Sequence, residues 1–359
     1  MKKNILEFCL SKDLGGLELF VGSCYKYFKT QTNCKLIVEK NSKLDLFFKD
    51  ENKFYIKRNK FFPFIPAFKL AKYIDKNNID IIHFHWTKDI NIIVIAKMLS
   101  KKKPKIIQSR HMNITRFKDD FYHRWLYKNI HTIHAVTFQL KDQLEKYIPN
   151  DIRPNIEMVY LGCEIKKVDQ KEVDKLRQLY NLNNEFIIGI TGRIEEQKGQ
   201  YIVIEALSKL RNLNIKLMIV GLPMDPKYLE ELKNKVLEYE IKDKVIFTGF
   251  TKKINEHMQL FDVDILATPN ETFGLVLIEA MANQVCVIST NKGGPLEIID
   301  NNQNGLLFDR TSEDLKEKIQ LLYENRTLKE YLAKEGRKKV QKYFNKDIQL
   351  NKLYKKVVE

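Results

Sequence analysis

Two periodicities alternate along this chain from end to end. Short apolar runs bounded by polar turns read as buried strands, and the longer stretches between them, with apolar residues every three to four positions, read as helices. In the first half the strand-like runs are Asn4–Leu10, Lys35–Glu39, Ile79–Phe84, Lys105–Gln108, Ile133–Val136 and Ile156–Tyr160. In the second half they are Phe186–Thr191, Lys216–Val220, Val245–Thr248, Val263–Ala267, Val285–Ser289 and Gly305–Phe308. Such alternation predicts an α/β protein with parallel sheets, and 359 residues suffice for two doubly wound domains. The polar stretch Glu164–Lys171 lacks apolar periodicity and marks the join, giving domains at 1–165 and 166–344. The last segment, Asn345–Val358, sets Ile348, Leu350, Leu353 and Tyr354 on a helical pattern.

The loops after these strands carry the candidate chemistry, because a doubly wound sheet binds ligand beyond its strand carboxyl ends. After Phe261–Ala267 comes Asn270-Glu271-Thr272-Phe273-Gly274-Leu275-Val276-Leu277-Ile278-Glu279-Ala280. Glu271 falls in the loop and Glu279 one to two turns inside the helix. The amides of Phe273, Gly274 and Leu275 between them are first-turn donors suited to a phosphate or a sugar hydroxyl. A solvated acid at a helix start plus a salt-bridged helix glutamate would give the same letters. A second loop, Gly192-Arg193-Ile194-Glu195-Glu196-Gln197-Lys198-Gly199, follows the strand Phe186–Thr191 and precedes a helix from Gln200 to Leu210. Arg193 and Lys198 are placed to meet a diphosphate, and Gly192 and Gly199 permit close backbone approach.

Together with other runs in the same order, these segments resemble the retaining nucleotide-sugar glycosyltransferases of family 4. The matching runs are Asp13-Leu14-Gly15-Gly16-Leu17-Glu18, Asp80-Ile81-Ile82-His83-Phe84-His85, Ser109-Arg110-His111 and Met158 to Glu164 in the first half. In the second half they are Gly192 to Gly199, Leu217 to Gly221, Val245 to Phe250, the two-glutamate segment and Gly293 to Ile299. The resemblance implies the GT-B architecture: two Rossmann-like, doubly wound parallel-sheet domains facing across a cleft, with the last helix crossing back to the first domain. It assigns Glu279 to the ribose hydroxyls, Glu271 to the donor sugar and His111 to the face of the transferred sugar. The donor site would comprise Gly15, Gly16, Arg193, Lys198, Gly221, Phe250, Glu271, Phe273, Gly274, Leu275 and Glu279, with His111, Glu271, Arg193 and Lys198 nearest the chemistry. The expected reaction moves a hexose from a nucleoside-diphosphate sugar, UDP foremost, to a glycan or lipid-linked acceptor, with no cofactor and no metal.

The chain departs from the family pattern in two places. The helix after Glu279 ends without the usual glycine, so Asn283 is expected to take the left-handed cap. Ser109-Arg110-His111-Met112 replaces Thr-x-His-Gly, adding a cation and a bulky side chain. His83 and His85 share one strand face, yet no Asp, Glu or Cys nearby in sequence completes a zinc set. His123, His131, His134 and His257 have no comparable motif. Asp262-Val263-Asp264 has the letters of a metal motif but leads into a buried strand.

Charge narrows the partners. Residues 1–160 hold 30 Lys and Arg against 16 Asp and Glu, a surplus of 14 out of the chain's net +16. That excess implies an anionic partner, yet no helix-turn-helix, RNA-recognition or zinc-finger signature supports nucleic acid. The segment Lys57–Tyr73 interleaves cations with Phe61, Phe62, Phe64 and Phe68 and carries Pro63 and Pro66 as expected helix breaks. Two arrangements suit it: an element at an anionic membrane surface, or a helix packing Phe64, Phe68 and Ala71 on the sheet. Five scattered cysteines and the absence of a signal-peptide pattern predict a reduced, cytoplasmic protein at the inner face of the membrane. A same-fold sugar-nucleotide epimerase would need acid/base carboxylates in the first domain, and none stands out.

Overall fold

The computed structural model describes residues 2–59 and 62–359. The chain forms two compact units, residues 1–161 with 347–359, and residues 162–346.

The first unit is a seven-stranded parallel sheet. Its strands are β1 (Asn4–Cys9), β2 (Asn33–Val38), β3 (Phe54–Tyr55), β4 (Ile81–Phe84), β5 (Lys105–Arg110), β6 (Thr132–Ala135) and β7 (Asn155–Met158), in spatial order β3-β2-β1-β4-β5-β6-β7. Twelve of the thirteen strands fall on the runs read from the sequence; β3, two residues long, is too short to leave a period. The chain reverses direction of growth at β1, so the crevice beyond β1 and β4 is the switch point where such sheets bind ligand. Near-continuous apolar strands make sense here, because helices cover both sheet faces. The helix Gly16–Gln31 buries Val21, Cys24, Tyr25 and Phe28 against Leu36, Val38 and Ile81, and the chain's last helix, Lys346–Val358, closes the same core with Leu350, Leu353 and Val357.

The second unit repeats the plan with six strands. These are β8 (Phe186–Thr191), β9 (Ile215–Val220), β10 (Val245–Gly249), β11 (Val263–Leu266), β12 (Cys286–Thr290) and β13 (Leu306–Phe308), ordered β10-β9-β8-β11-β12-β13. Its switch point lies between β8 and β11. Gly189 in the middle of β8 is needed for packing, since a Cβ there would sit 2.2 Å from the Phe261 ring. Two parallel-sheet domains of this order are the GT-B fold.

Three sequence expectations change. The helix Leu275–Ala282 is capped by Asn283 at φ −83°, and the left-handed residue is the next one, Gln284 at φ 60°. The Asn283 side chain instead donates to the Glu279 carbonyl at 2.9 Å, which holds Asn283 out of the left-handed region. Pro66 does not break its helix, which runs Phe64–Lys76 with Pro63 as cap. Pro66 occupies the first turn, where a missing N–H removes no helix bond. That helix buries Ala67, Leu70, Ala71 and Ile74, while Phe62 and Phe64 stay 65% exposed and Phe68 52% exposed. The proposed packing of Phe64 and Phe68 onto the sheet is therefore not formed. Lys60 and Phe61 lie outside the described residues.

Candidate functional site

In the second unit, four glycines bring the loops after β8, β9, β11 and β12 against one another. Gly199 is left-handed at φ 73°, and a Cβ there would stand 2.6 Å from the Ala267 carbonyl oxygen. Gly221, at φ 154°, would collide with the Gly192 carbonyl. Gly293 and Gly294 lie under the two-glutamate loop, with Gly294 donating its amide to the Glu271 carbonyl at 2.8 Å. A side chain on any of these would force the loops apart.

Onto this platform the β8 and β11 loops set Lys198 and Glu271 as a pair, Nζ to Oε2 3.0 Å, each about a quarter exposed. Arg193 is oriented differently: 60% exposed, it reaches Glu195 at 3.0 Å, and its carbonyl accepts from the Gln200 side chain at 2.9 Å. Gly274 is left-handed at φ 100° and caps the helix Leu275–Ala282; its carbonyl accepts the Leu277 amide at 3.0 Å, and the amides ahead of Leu277 have no acceptor within the helix. Phe273 anchors the turn, buried with its ring 5.9 Å from that of Phe344. Phe250, after left-handed Gly249, is 63% exposed.

Below the helix entrance lies a carboxyl that the motif supplied and one that it did not. Glu279 keeps an accessible edge, but burial pushes its carboxyl up to about 7. Asp264, fully buried in β11, is raised well above the carboxylate range by burial and by the neighbouring Glu279. The Thr191 hydroxyl reaches its Oδ1 at 3.5 Å, while Oδ2 has no partner among the described residues. An acid between Val263 and Ile265 in a buried strand was the available signal for it.

In the first unit the strand ends converge on Glu7 of β1. Its Oε1 lies 2.7 Å from His83 Nδ1 and its Oε2 2.9 Å from His85 Nε2. From His83 Nε2 a chain runs to Ser109 Oγ at 2.8 Å, on to His134 Nδ1 at 2.7 Å, and from His134 Nε2 to the Val159 carbonyl at 2.6 Å. His85 Nδ1 meets His111 Nε2 at 3.4 Å, and Phe20 stands edge-on to the His111 ring. Burial lowers His85 to about 4, His134 to about 3 and His111 well below its ordinary value. Sequence reasoning overlooked Glu7 and set His134 aside. Gly15, expected to offer its amide to a diphosphate, spends it on its own helix: the Glu18 carboxylate accepts it at 2.8 Å and takes the Ser11 hydroxyl as well. Gly16 opens that helix.

Residues 171–339 match the family model for glycosyl transferases group 1, and residues 7–139 match the glycosyl transferase 4-like model. The chain belongs to the group 1, family 4 glycosyltransferases. Among relatives, a capsular polysaccharide biosynthesis glycosyltransferase of Staphylococcus aureus is 30% identical over 200 residues, covering 52% of this chain and 50% of that one. Across the first curated relatives the chain spans 50% to 65% of their length. Among solved structures, a glycosyltransferase from Rickettsia africae superposes with a TM-score of 0.87 at 23% identity, covering 100% of this chain and 99% of that one. An Anabaena protein solved with UDP and glucose gives a TM-score of 0.87 at 19% identity, covering 100% of each chain.

Two oddities of this family member against the family pattern now have structural meaning. Arg110 is turned inward: its guanidinium is buried and braces the following loop through the Met112 and Asn113 carbonyls. Met112 is 61% exposed. Cys24 from the first helix comes beside His83 and His85, with donor atoms within 4.8 Å, completing a trio that the sequence did not show. That trio fits a metal poorly, since both ring nitrogens of each histidine are already engaged in hydrogen bonds. The five cysteines are buried, and no two of them are joined in a disulfide.

Proposed function

We propose that this protein transfers a hexose from a nucleoside-diphosphate sugar, UDP foremost, to a glycan or lipid-linked acceptor, with retention of anomeric configuration. The observation that carries the reading is the Lys198–Glu271 pair on a glycine-cleared platform at the β8/β11 switch point. Lys198, Arg193 and the first-turn amides from Gly274 onward receive the diphosphate; Glu271 takes a sugar hydroxyl and Glu279 the ribose. As the bond between the sugar's anomeric carbon and the phosphate oxygen breaks, its electron pair stays on the diphosphate, where these cations and dipoles stabilise it. The acceptor hydroxyl attacks the same face and its proton passes to the leaving phosphate oxygen. Two cations and helix amides supply the positive charge that a divalent ion gives elsewhere, so turnover proceeds without metal. Asp262, the first acid of the Asp-x-Asp letters, is already paired with Lys329.

The test is incubation with UDP-, GDP- and ADP-sugars, with and without chelator, following nucleotide release and thermal shift. Release from one class, unaffected by chelator, is expected. Release from none, or activity lost to chelator and restored by manganese, would contradict the reading.

A second reading concerns location. No helix among the described residues is long and apolar enough to cross a membrane. Phe62, Phe64, Ile65 and Phe68 nevertheless project outward on a unit with a large surplus of Lys and Arg, and Lys72 lies over the Phe68 ring. This face suits an anionic cytoplasmic membrane, the rings entering the interface and the cations the head groups.

A further inference from the structure

The geometry points to Glu7 as a positioning residue that, through His85, decides which ring nitrogen of His111 is bare. The reasoning starts from a group with no choice. The Val159 carbonyl can only accept, so His134 carries its proton on Nε2. Burial keeps His134 neutral, so its Nδ1 is a lone pair and takes the Ser109 hydroxyl proton. The Ser109 oxygen then accepts from His83 Nε2–H.

One more proton is required where His83 Nδ1 meets Glu7 Oε1 at 2.7 Å. It can sit on Glu7, on His83, or, through Ser109, on His134. Burial alone would raise the Glu7 carboxyl, yet the two histidines bring it below its ordinary value, so Glu7 is the anion of the group.

With Glu7 ionised, Oε2 can only accept, and His85 must donate from Nε2. His85 is neutral, so its Nδ1 accepts from His111 Nε2–H. His111 is neutral in turn, which leaves Nδ1 as a lone pair with no hydrogen-bond partner among the described residues. Such a nitrogen can accept a proton from a ligand hydroxyl and offers no donor in return.

The experiment is long-range proton–nitrogen correlation NMR on the full chain with 15N-labelled histidine and no ligand, from about pH 6 to 8. His111, His85 and His134 should each carry a single proton on Nε2. A proton on Nδ1 of His111, or on Nδ1 of His85, overturns the assignment. Because no donor is present, this result can fail while the donor reading stands, and the wild-type spectrum alone decides it. Glu7→Gln adds a further demand. Its carboxamide can accept from His85 and donate to His83, so His111 should keep its tautomer. Glu7→Leu removes the acceptor, and a His111 tautomer left unchanged in that folded variant would mean that Glu7 serves packing only.

Discussion

Around Glu7 in the first unit one set of polar groups answers one another: Glu7, His83, Ser109, His134 and a backbone carbonyl close a chain of bonds of 2.6 to 2.8 Å. At the candidate donor loops of the second unit the polar groups do not. Asp264 has an oxygen without a partner among the described residues, Glu279 is pushed up to about 7, and Lys198 and Glu271 remain partly open to water. Both units have the same order of their first six strands, so the difference lies in what the loops and strand ends carry. A satisfied network fixes geometry, whereas an unsatisfied one holds free energy that a ligand can release.

The contrast can be broken most forcefully in the first unit. Glu7→Ala leaves buried imidazoles without their acceptor and should lower stability by about 3–5 kcal/mol, read from denaturant unfolding. A loss under about 1 kcal/mol would show that the chain is not cooperative. In the second unit, Lys198→Ala should cost about 2–4 kcal/mol of transition-state stabilisation, two to three orders of magnitude in kcat/KM, with a nearly unchanged Tm. Near-normal turnover in the folded variant would remove Lys198 from the diphosphate site.

Glu279→Gln sharpens the comparison because it should stabilise the empty protein. The folded carboxyl titrates near 7 against an ordinary 4.5, so between these values the folded state holds a proton that the unfolded chain has released. Stability therefore falls as pH climbs through that window, and the amide escapes the loss. A gain of roughly 1–3 kcal/mol at pH 8, vanishing below pH 4.5, is expected together with weaker donor binding. Equal stability of variant and parent at pH 8 would refute it. Two buried histidines of the first unit titrate with the opposite sign. His85 and His134, lowered to about 4 and 3, stay neutral when folded, so stability drains away as pH falls below about 6.5.

The smallest effect is expected at the surface. Phe62→Ser with Phe64→Ser should weaken binding to anionic vesicles at high salt, where screening leaves apolar insertion dominant, by on the order of 1 kcal/mol per ring. Binding to anionic vesicles at low salt should persist and be nearly absent on neutral ones. A double variant that binds like the parent at high salt would rule out ring insertion.

The second-unit loops were legible because their chemistry is contiguous: Gly192 to Gly199 and Glu271 to Glu279 each carry glycine, charge and helix start within one window. The histidine chain was not, because its members come from β1, β4, β5 and β6 and meet only through strand register. Glu7 stands opposite His83 in the β1–β4 pairing, and Ser109 opposite His134 in β5–β6. A single sequence holds no record of which strands are neighbours, so Glu7 reads as an ordinary strand residue and His134 as an isolated one. The left-handed turn shifted from Asn283 to Gln284 for a local reason, a side-chain bond that competes with it.

The last helix completes the core of the first unit with Leu350, Leu353 and Val357, although some 185 residues of the second unit separate it in sequence from the rest of that core. A ribosome making this protein from its amino terminus releases the first sheet long before the residues that seal it. During that interval the helix Gly16–Gln31 has Val21, Tyr25 and Phe28 without their final cover, and the nascent chain has an apolar surface to protect. The second unit, continuous from 162 to 346, has no such wait, so the order of synthesis is the reverse of the order in which the two cores can be finished.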